Sequence, residues 1–413
     1  MDKYSLSSLQ HLAGGRDVYI YGASHRGLIW RNFLQHREFN VRGYIDQNKK
    51  GNDIYTIDDL TNTTDKENIF IIVAAQNVFA KQIMETLDSY GYLKDVDYVN
   101  GSQFYNQYPT IEVAGLCNLK CISCNLGSDL DGRSKGGFMS LETYKILFKK
   151  LLSEITILPN IALYCWGEPL LNPALPSIIR HTLSLGVCTE ISTNLNSCKK
   201  LEEIIKESPT FIKVSCSGIG EHYERMHTGG KWSVFLENMH KLRQYIDQYN
   251  ADTKVAVIFH AYKDNLDEDY DFIENLASEL GFSFEVTLAN VFPESIYKNV
   301  VHGKDIPQNM LESSKGMIYS IKEQIEYSQA NRKSCLFMSA FPTIRWDGAV
   351  LSCCNMEGGV VAENFMDVPQ SELKRRQVTG ELCTNCMKNG LQRLCSVTGT
   401  VEVVDGTRTI AKL

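Results

Sequence analysis

From Pro109 to Asn290 the chain alternates short apolar runs with amphipathic stretches. That alternation constrains the fold most, because strands separated by helices lie parallel and need helices over both faces of their sheet. Six strand-like runs begin near Thr110, Ile157, Cys188, Phe211, Lys254 and Phe282, and helical periodicity is plainest over Leu141–Leu152 and Trp232–Tyr249. The expected class is α/β. The first hundred residues repeat the logic separately: a strand Asp17–Tyr21, a turn from Gly22 to Gly27, a helix over Arg26–Gln35, and a strand Val41–Ile45 ending in Asp46. A third strand over Ile69–Ala75 and a helix over Val78–Tyr90 complete a Rossmann-like series. Its glycine turn has two readings, backbone N–H groups facing a phosphate beside an acid for a ribose hydroxyl, or glycine needed only for close packing. The expected division is 1–105, 106–325 and 326–413.

With 413 residues, 43% of them apolar, the chain has enough material for ordinary buried cores. No apolar run approaches the length of a membrane span, and Met1–Arg16 lacks the charged-then-apolar pattern of a secretory signal, so a cytoplasmic protein is expected. A net charge of −7 gives no basic footprint for nucleic acid. In a reducing compartment, 13 cysteines point to metal ligands before disulfides.

Cys117, Cys121 and Cys124 follow the apolar run Ile111–Leu116, which places them on a loop at a strand's C-terminal end. Three thiolates this close can wrap one iron–sulfur cubane, leaving one iron without a protein ligand. A zinc knuckle or three structural thiols is the alternative that spacing leaves open.

The spacing of three residues, then two, resembles the radical S-adenosylmethionine (SAM) superfamily. The resemblance implies a partial barrel of six βα units, a [4Fe–4S] cluster on the triplet, and SAM chelated by the open iron. It also implies reductive cleavage of SAM to a 5′-deoxyadenosyl radical that abstracts hydrogen from substrate. Further elements match in order. Gly167-Glu168-Pro169 matches an element whose oxygens take the hydrogens of the SAM ammonium group, which needs acceptors. Ser192-Thr193-Asn194 and Ser215 with Ser217 fall where relatives contact the ribose and the SAM carboxylate. Arg225 matches an arginine aimed at that carboxylate. Two positions depart from the family: Ser123 stands where an aromatic residue usually precedes the third cysteine, and Ser217 where relatives often carry an acid.

A second cysteine set begins with Cys335, Gly348 and Cys353 and continues with Cys383 and Cys386. It resembles the SPASM/twitch extension of the same superfamily. The full seven-cysteine pattern is absent, because the cysteine after Cys386 is Cys395. Four thiolates suffice for a single auxiliary [4Fe–4S] cluster, with Cys354 or Cys395 as possible substitutes. Zinc is the alternative for this set too. The stretch Thr343–Leu351 reads as a hairpin around Asp347-Gly348. Cys165, Cys188, Cys198 and Cys216 lack ligand spacing and read as structural.

These features together suggest an oxidoreductase acting on a sugar-like or nucleotide-linked small molecule by dehydrogenation or epimerisation, with flavodoxin or ferredoxin as electron donor. The alternatives are a maturase of a ribosomal peptide or protein and a non-enzymatic metal-binding protein. His260, at the end of the fifth strand, has two readings, a base that titrates near neutrality or, the favoured one, a capped or packed histidine. Tyr164 and Trp166, flanking the glutamate motif, have two readings, pocket lining or core.

Overall fold

A computed structural model describes residues 3–75, 77–105, 108–121, 123–128, 136–290, 294–330, 335, 342–354, 356–392, 399–404 and 407–412. Cys395 lies outside them. The chain forms two compact units, the first comprising Met1–Gln107, Lys149–Ile161 and His181–Cys188, the second Tyr108–Phe148, Ala162–Arg180 and Thr189–Leu413.

The first unit is built on a five-stranded sheet of β1 (Asp17–Tyr21), β2 (Val41–Ile45), β3 (Ile54–Tyr55), β4 (Ile69–Val73) and β5 (Tyr98–Asn100), in the order β3-β2-β1-β4-β5 and parallel throughout. The two sides of β1 show why the sheet is covered on both faces. Val18 and Ile20 pack with Trp30, Phe33 and Leu34, while Tyr19 and Tyr21 pack with Ile57, Leu60 and Leu87. All five residues of β4 are buried, as an unbroken apolar run requires.

At the end of β2 the acid expected to meet a ribose hydroxyl is turned toward the β1 turn. Asp46 accepts hydrogen bonds from the backbone N–H groups of Ala23 at 2.9 Å and of Asn48 and Lys49 at 3.0 Å. Burial works to raise its pKa, but those amides hold it below the usual range. A Cβ on Gly27 would strike the Gly22 carbonyl, so the second glycine of the turn serves close packing.

A second sheet runs β10-β9-β8-β7-β6, from β6 (Asn160–Ala162), β7 (Cys188–Thr193), β8 (Phe211–Cys216), β9 (Lys254–Ala261) and β10 (Ser283–Leu288). The expected strand at Thr110 is present only as single parallel bridges, Thr110 to Ala162 and Ile111 to Ile344. Its ladder stops early because the backbone of Val113 and Gly115 pairs instead with Met139 and Gly137.

The hairpin predicted around Asp347-Gly348 forms from β11 (Thr343–Ile344) and β12 (Val350–Cys353), with Gly348 at φ +89° in the turn. It is extended by β13 (Met356–Ala362), and a separate hairpin joins β14 (Gly399–Val404) to β15 (Thr407–Lys412). Trp346 of the first hairpin packs directly on the backbone of Gly115, where any side chain would collide with its indole. Two residues further along the chain is Cys117.

Among the described residues no helix is long and apolar enough to cross a membrane.

Candidate active site

The C-terminal ends of β6 to β10 open onto one cavity of about 400 Å³. This is the end at which barrel enzymes carry their chemistry. Cys117, Cys121 and Cys124 line it, joined by Gly167 and Glu168, by Ser192, Thr193 and Asn194, and by Ser215, Ser217 and His260. Tyr164 and Trp166 also face it.

The cysteine loop is fixed by its backbone and by one buried residue. Leu119 is buried, the Lys120 N–H bonds the Thr228 carbonyl at 2.8 Å, and the Cys124 N–H bonds the Cys121 carbonyl at 3.2 Å. Behind it, the turn of helix Asn125–Ser128 comes so close that a Cβ on Gly127 would overlap the Cys121 carbonyl. Two amides already point at a ligand sulfur: the Leu119 N–H lies 3.4 Å and the Asn194 Nδ2 3.6 Å from Cys117 Sγ. Such bonds stabilise the negative charge a cluster thiolate carries.

Glu168 is buried and fully engaged. Its carboxylate accepts from Leu170 N at 3.1 Å, Thr193 Oγ1 at 2.8 Å and Asn194 N at 2.8 Å, tying the end of β7 to the loop after β6. Burial pushes its pKa up to about 7 against those three bonds. Gly167 allows this closeness, since a side chain there would strike the Ala114 carbonyl. Pro169 is buried in the short 3₁₀ turn Pro169–Leu171, away from the cavity lining.

Arg225 departs from expectation. Its guanidinium pairs with Asp264 at 2.5 Å, both groups are substantially exposed, and neither lines the cavity.

His260 follows the packed reading rather than that of a base titrating near neutrality. Its Nδ1 lies 3.2 Å from Ser217 Oγ, and burial pushes it down to about 4, so it is neutral near pH 7. His227 is driven to about 3 by burial and then by the charge of His260. Both pKa values are depressed below the unfolded 6.5, so the folded state refuses protons that the unfolded chain binds. Their stabilising contribution is present above pH 6.5 and is lost as pH falls. From pH 6.5 to 5 each histidine is expected to cost about 2 kcal/mol. Urea midpoints should fall over that range and fall less in His260→Gln; an equal fall would contradict the assignment.

Two lining residues, and one set of contacts behind the wall, escaped the sequence. Tyr262, just beyond β9, is 5% exposed and hydrogen-bonded to Ser123, the position where the family's aromatic residue is missing. Its place at a strand's C-terminal end was the available signal. His227 closes the helix Gly220–Met226. Finally, Tyr164 donates to Glu190 Oε1 at 2.7 Å, and Lys213 Nζ pairs with the same oxygen at 2.7 Å. Glu190 is 1% exposed and Lys213 a third exposed, so Glu190→Leu is expected to cost about 2 kcal/mol by stranding a half-buried ammonium. Chemical denaturation reads this directly, and an unchanged midpoint would refute it.

The second cysteine set also gathers. Cys383 and Cys386 lie one helical turn apart on Glu381–Lys388, and Cys353 ends β12. Burial, and after it the sulfurs of Cys353 and Cys335, raises Cys383 to about 11 and Cys386 to about 12. Crowded buried thiols of this kind ionise once a bound cation supplies the missing positive charge. Cys165 Sγ donates to the Cys354 carbonyl at 3.7 Å, linking the cavity wall to this set. Cys188 and Cys216 are buried. Among the described residues no group of three or more His, Cys, Asp or Glu side chains converges as a single ion would require.

The cavity fits a cluster with SAM: three thiols on one loop, amides at a ligand sulfur, and a buried His227 Nε2 without a hydrogen-bond partner.

No curated protein matches the chain. Among solved structures, BtrN in complex with AdoMet and 2-DOIA is 20% identical, over 69% of this chain and 87% of that one, with a TM-score of 0.38. The anSMEcpe enzyme with bound AdoMet and Cp18Cys peptide is 13% identical over 69% and 83%, with a TM-score of 0.45. SuiB of Streptococcus suis bound to precursor peptide SuiA is 12% identical over 76% and 74%, with a TM-score of 0.46. Residues 111–274, which hold the cysteine loop and β6 to β9, match the Radical SAM superfamily. The match makes residues 111–274 similar to the radical SAM superfamily, over the segment that carries the cysteine loop.

Proposed function

We propose that the chain is a radical SAM oxidoreductase that dehydrogenates or epimerises a carbon bearing a hydroxyl or amine on a sugar-like or nucleotide-linked substrate. It would work in the cytoplasm with flavodoxin or ferredoxin as donor. Its three functional parts are 1–105, the catalytic 106–325, and 326–413 with an auxiliary [4Fe–4S] cluster on Cys335, Cys353, Cys383 and Cys386. When bound, the Cys117/Cys121/Cys124 cluster and SAM supply a 5′-deoxyadenosyl radical that removes a hydrogen atom, and the auxiliary cluster supplies an electron sink.

The observation carrying the oxidative half of this reading is the gathering of the four C-terminal thiols in the same compact unit as the cavity. The Cys165–Cys354 contact and the packing of Trp346 on Gly115 tie that segment to the cavity wall.

The wall's chemistry supports a polyhydroxylated substrate. Ser192, Ser215, Asn194 and Asn290 offer donors and acceptors, and Tyr164 adds a phenol oxygen. Burial, then the Glu190 charge, pushes the Tyr164 pKa well up, so it stays protonated, donates to Glu190, and presents lone pairs to a substrate hydroxyl or ammonium. Trp166 contributes apolar surface that excludes water. In the first unit Asp46 already takes the Ala23 amide, so the proposed substrate meets the chain in the cavity.

The test is 5′-deoxyadenosine formation by reduced, reconstituted full-length protein with aminocyclitols, sugars and nucleotide sugars, run against peptides. Stimulation by a polyhydroxylated compound, with a carbonyl or an inverted centre in the product, is expected. Stimulation by peptides alone would replace this reading with a peptide maturase.

A further inference from the structure

Among the described lining side chains, His227 carries a nitrogen that the fold buries and leaves without a hydrogen-bond partner. It is 6% exposed, and its Nε2 is buried with no hydrogen-bond partner. A buried polar atom without a partner costs stability, and such atoms in folded proteins are commonly completed by a ligand or water.

Its position is fixed from two sides. The ring stacks on Tyr223 with centroids 4.5 Å apart and planes 21° from parallel. Tyr223 is itself held, since Asn196 Nδ2 donates to its hydroxyl, which donates to the Asn194 carbonyl at 3.2 Å. On the other side, the next residue's carbonyl, that of Thr228, accepts the Lys120 N–H of the cysteine loop at 2.8 Å. The residue next to His227 is thus bonded to the loop that carries Cys117, Cys121 and Cys124, and His227 lines the same cavity as those cysteines. Burial keeps it neutral, so Nε2 donates or accepts according to tautomer, and no ion is stranded when the cavity closes. Arg225, on the same helix, is engaged by Asp264 outside the lining.

We propose that His227 is a cofactor-binding residue whose Nε2 hydrogen-bonds an oxygen of SAM, either a carboxylate oxygen or a ribose hydroxyl. The inference rests on SAM occupying this cavity, as the proposed function requires.

Equilibrium dialysis of labelled SAM against reconstituted full-length protein tests it, with His227→Phe keeping the ring stack and removing the nitrogens, and His227→Gln keeping a hydrogen-bonding amide. His227→Phe is expected to weaken SAM binding about tenfold, and His227→Gln distinctly less, with iron content unchanged. A parallel titration with 5′-deoxyadenosine separates the two oxygens: equal weakening assigns the ribose, and no weakening assigns the carboxylate. Wild-type affinity in His227→Phe would overturn the proposal, as would loss of iron in both variants, which would make His227 a support of the loop. Failure of the wild type itself to bind SAM would count against the radical SAM site and leave His227 aside.

Discussion

The Cys117/Cys121/Cys124→Ala variant is expected to form no 5′-deoxyadenosine above background and to lose about four irons relative to the wild type. The expectation follows from the loop's construction. All three thiols face one cavity, and Asn194 and Leu119 amides already address Cys117 Sγ, so alanine removes the ligands and leaves the surrounding donors in place. Because the loop is anchored by buried Leu119 and by the Lys120–Thr228 backbone bond, the fold should survive, and the far-ultraviolet circular dichroism should match the wild type. Iron analysis beside the product assay checks both halves. Retention of full iron with undiminished cleavage would place the reactive centre elsewhere.

The second large effect is expected in Cys383→Ala/Cys386→Ala. Under the proposed function this variant loses the other four irons, about half the total, yet still cleaves SAM, because its thiols lie on the helix Glu381–Lys388 and take no part in lining the cavity. Substrate oxidation should stop while 5′-deoxyadenosine still forms. If iron is unchanged and zinc is lost instead, the auxiliary site is a zinc site and the chemistry is redox-neutral. A variant that oxidises substrate normally would remove the electron sink from the account.

Much of this could be read from the residues alone where the signal is local. β1 and β2 begin and end where their apolar runs do, and the helix Trp232–Tyr249 matches its periodicity to the residue. The Asp347-Gly348 turn produced its hairpin because only a positive φ closes so tight a reversal, and Gly348 supplies it.

Side-chain direction and burial were less legible. Arg225 and His227 both fall at the end of the helix Gly220–Met226, yet the arginine pairs with Asp264 beyond β9 while the histidine lines the cavity. His260 was placed correctly at a strand end, yet its pKa depends on burial by neighbours far away in sequence. Asp46 likewise ends β2 as expected, but whether its carboxylate faces a ligand or the Ala23 amide is decided by the approach of the β1 turn.

The central claim, that the cavity on Cys117, Cys121 and Cys124 holds a cluster whose open iron takes SAM, is tested most directly by electron–nuclear double resonance. The sample is the reduced Cys383→Ala/Cys386→Ala protein with SAM labelled with nitrogen-15 at its amino group. The account predicts a nitrogen-15 hyperfine coupling that appears with SAM and is absent without it. A cluster signal that SAM leaves unchanged, in protein carrying its full remaining iron, would contradict it.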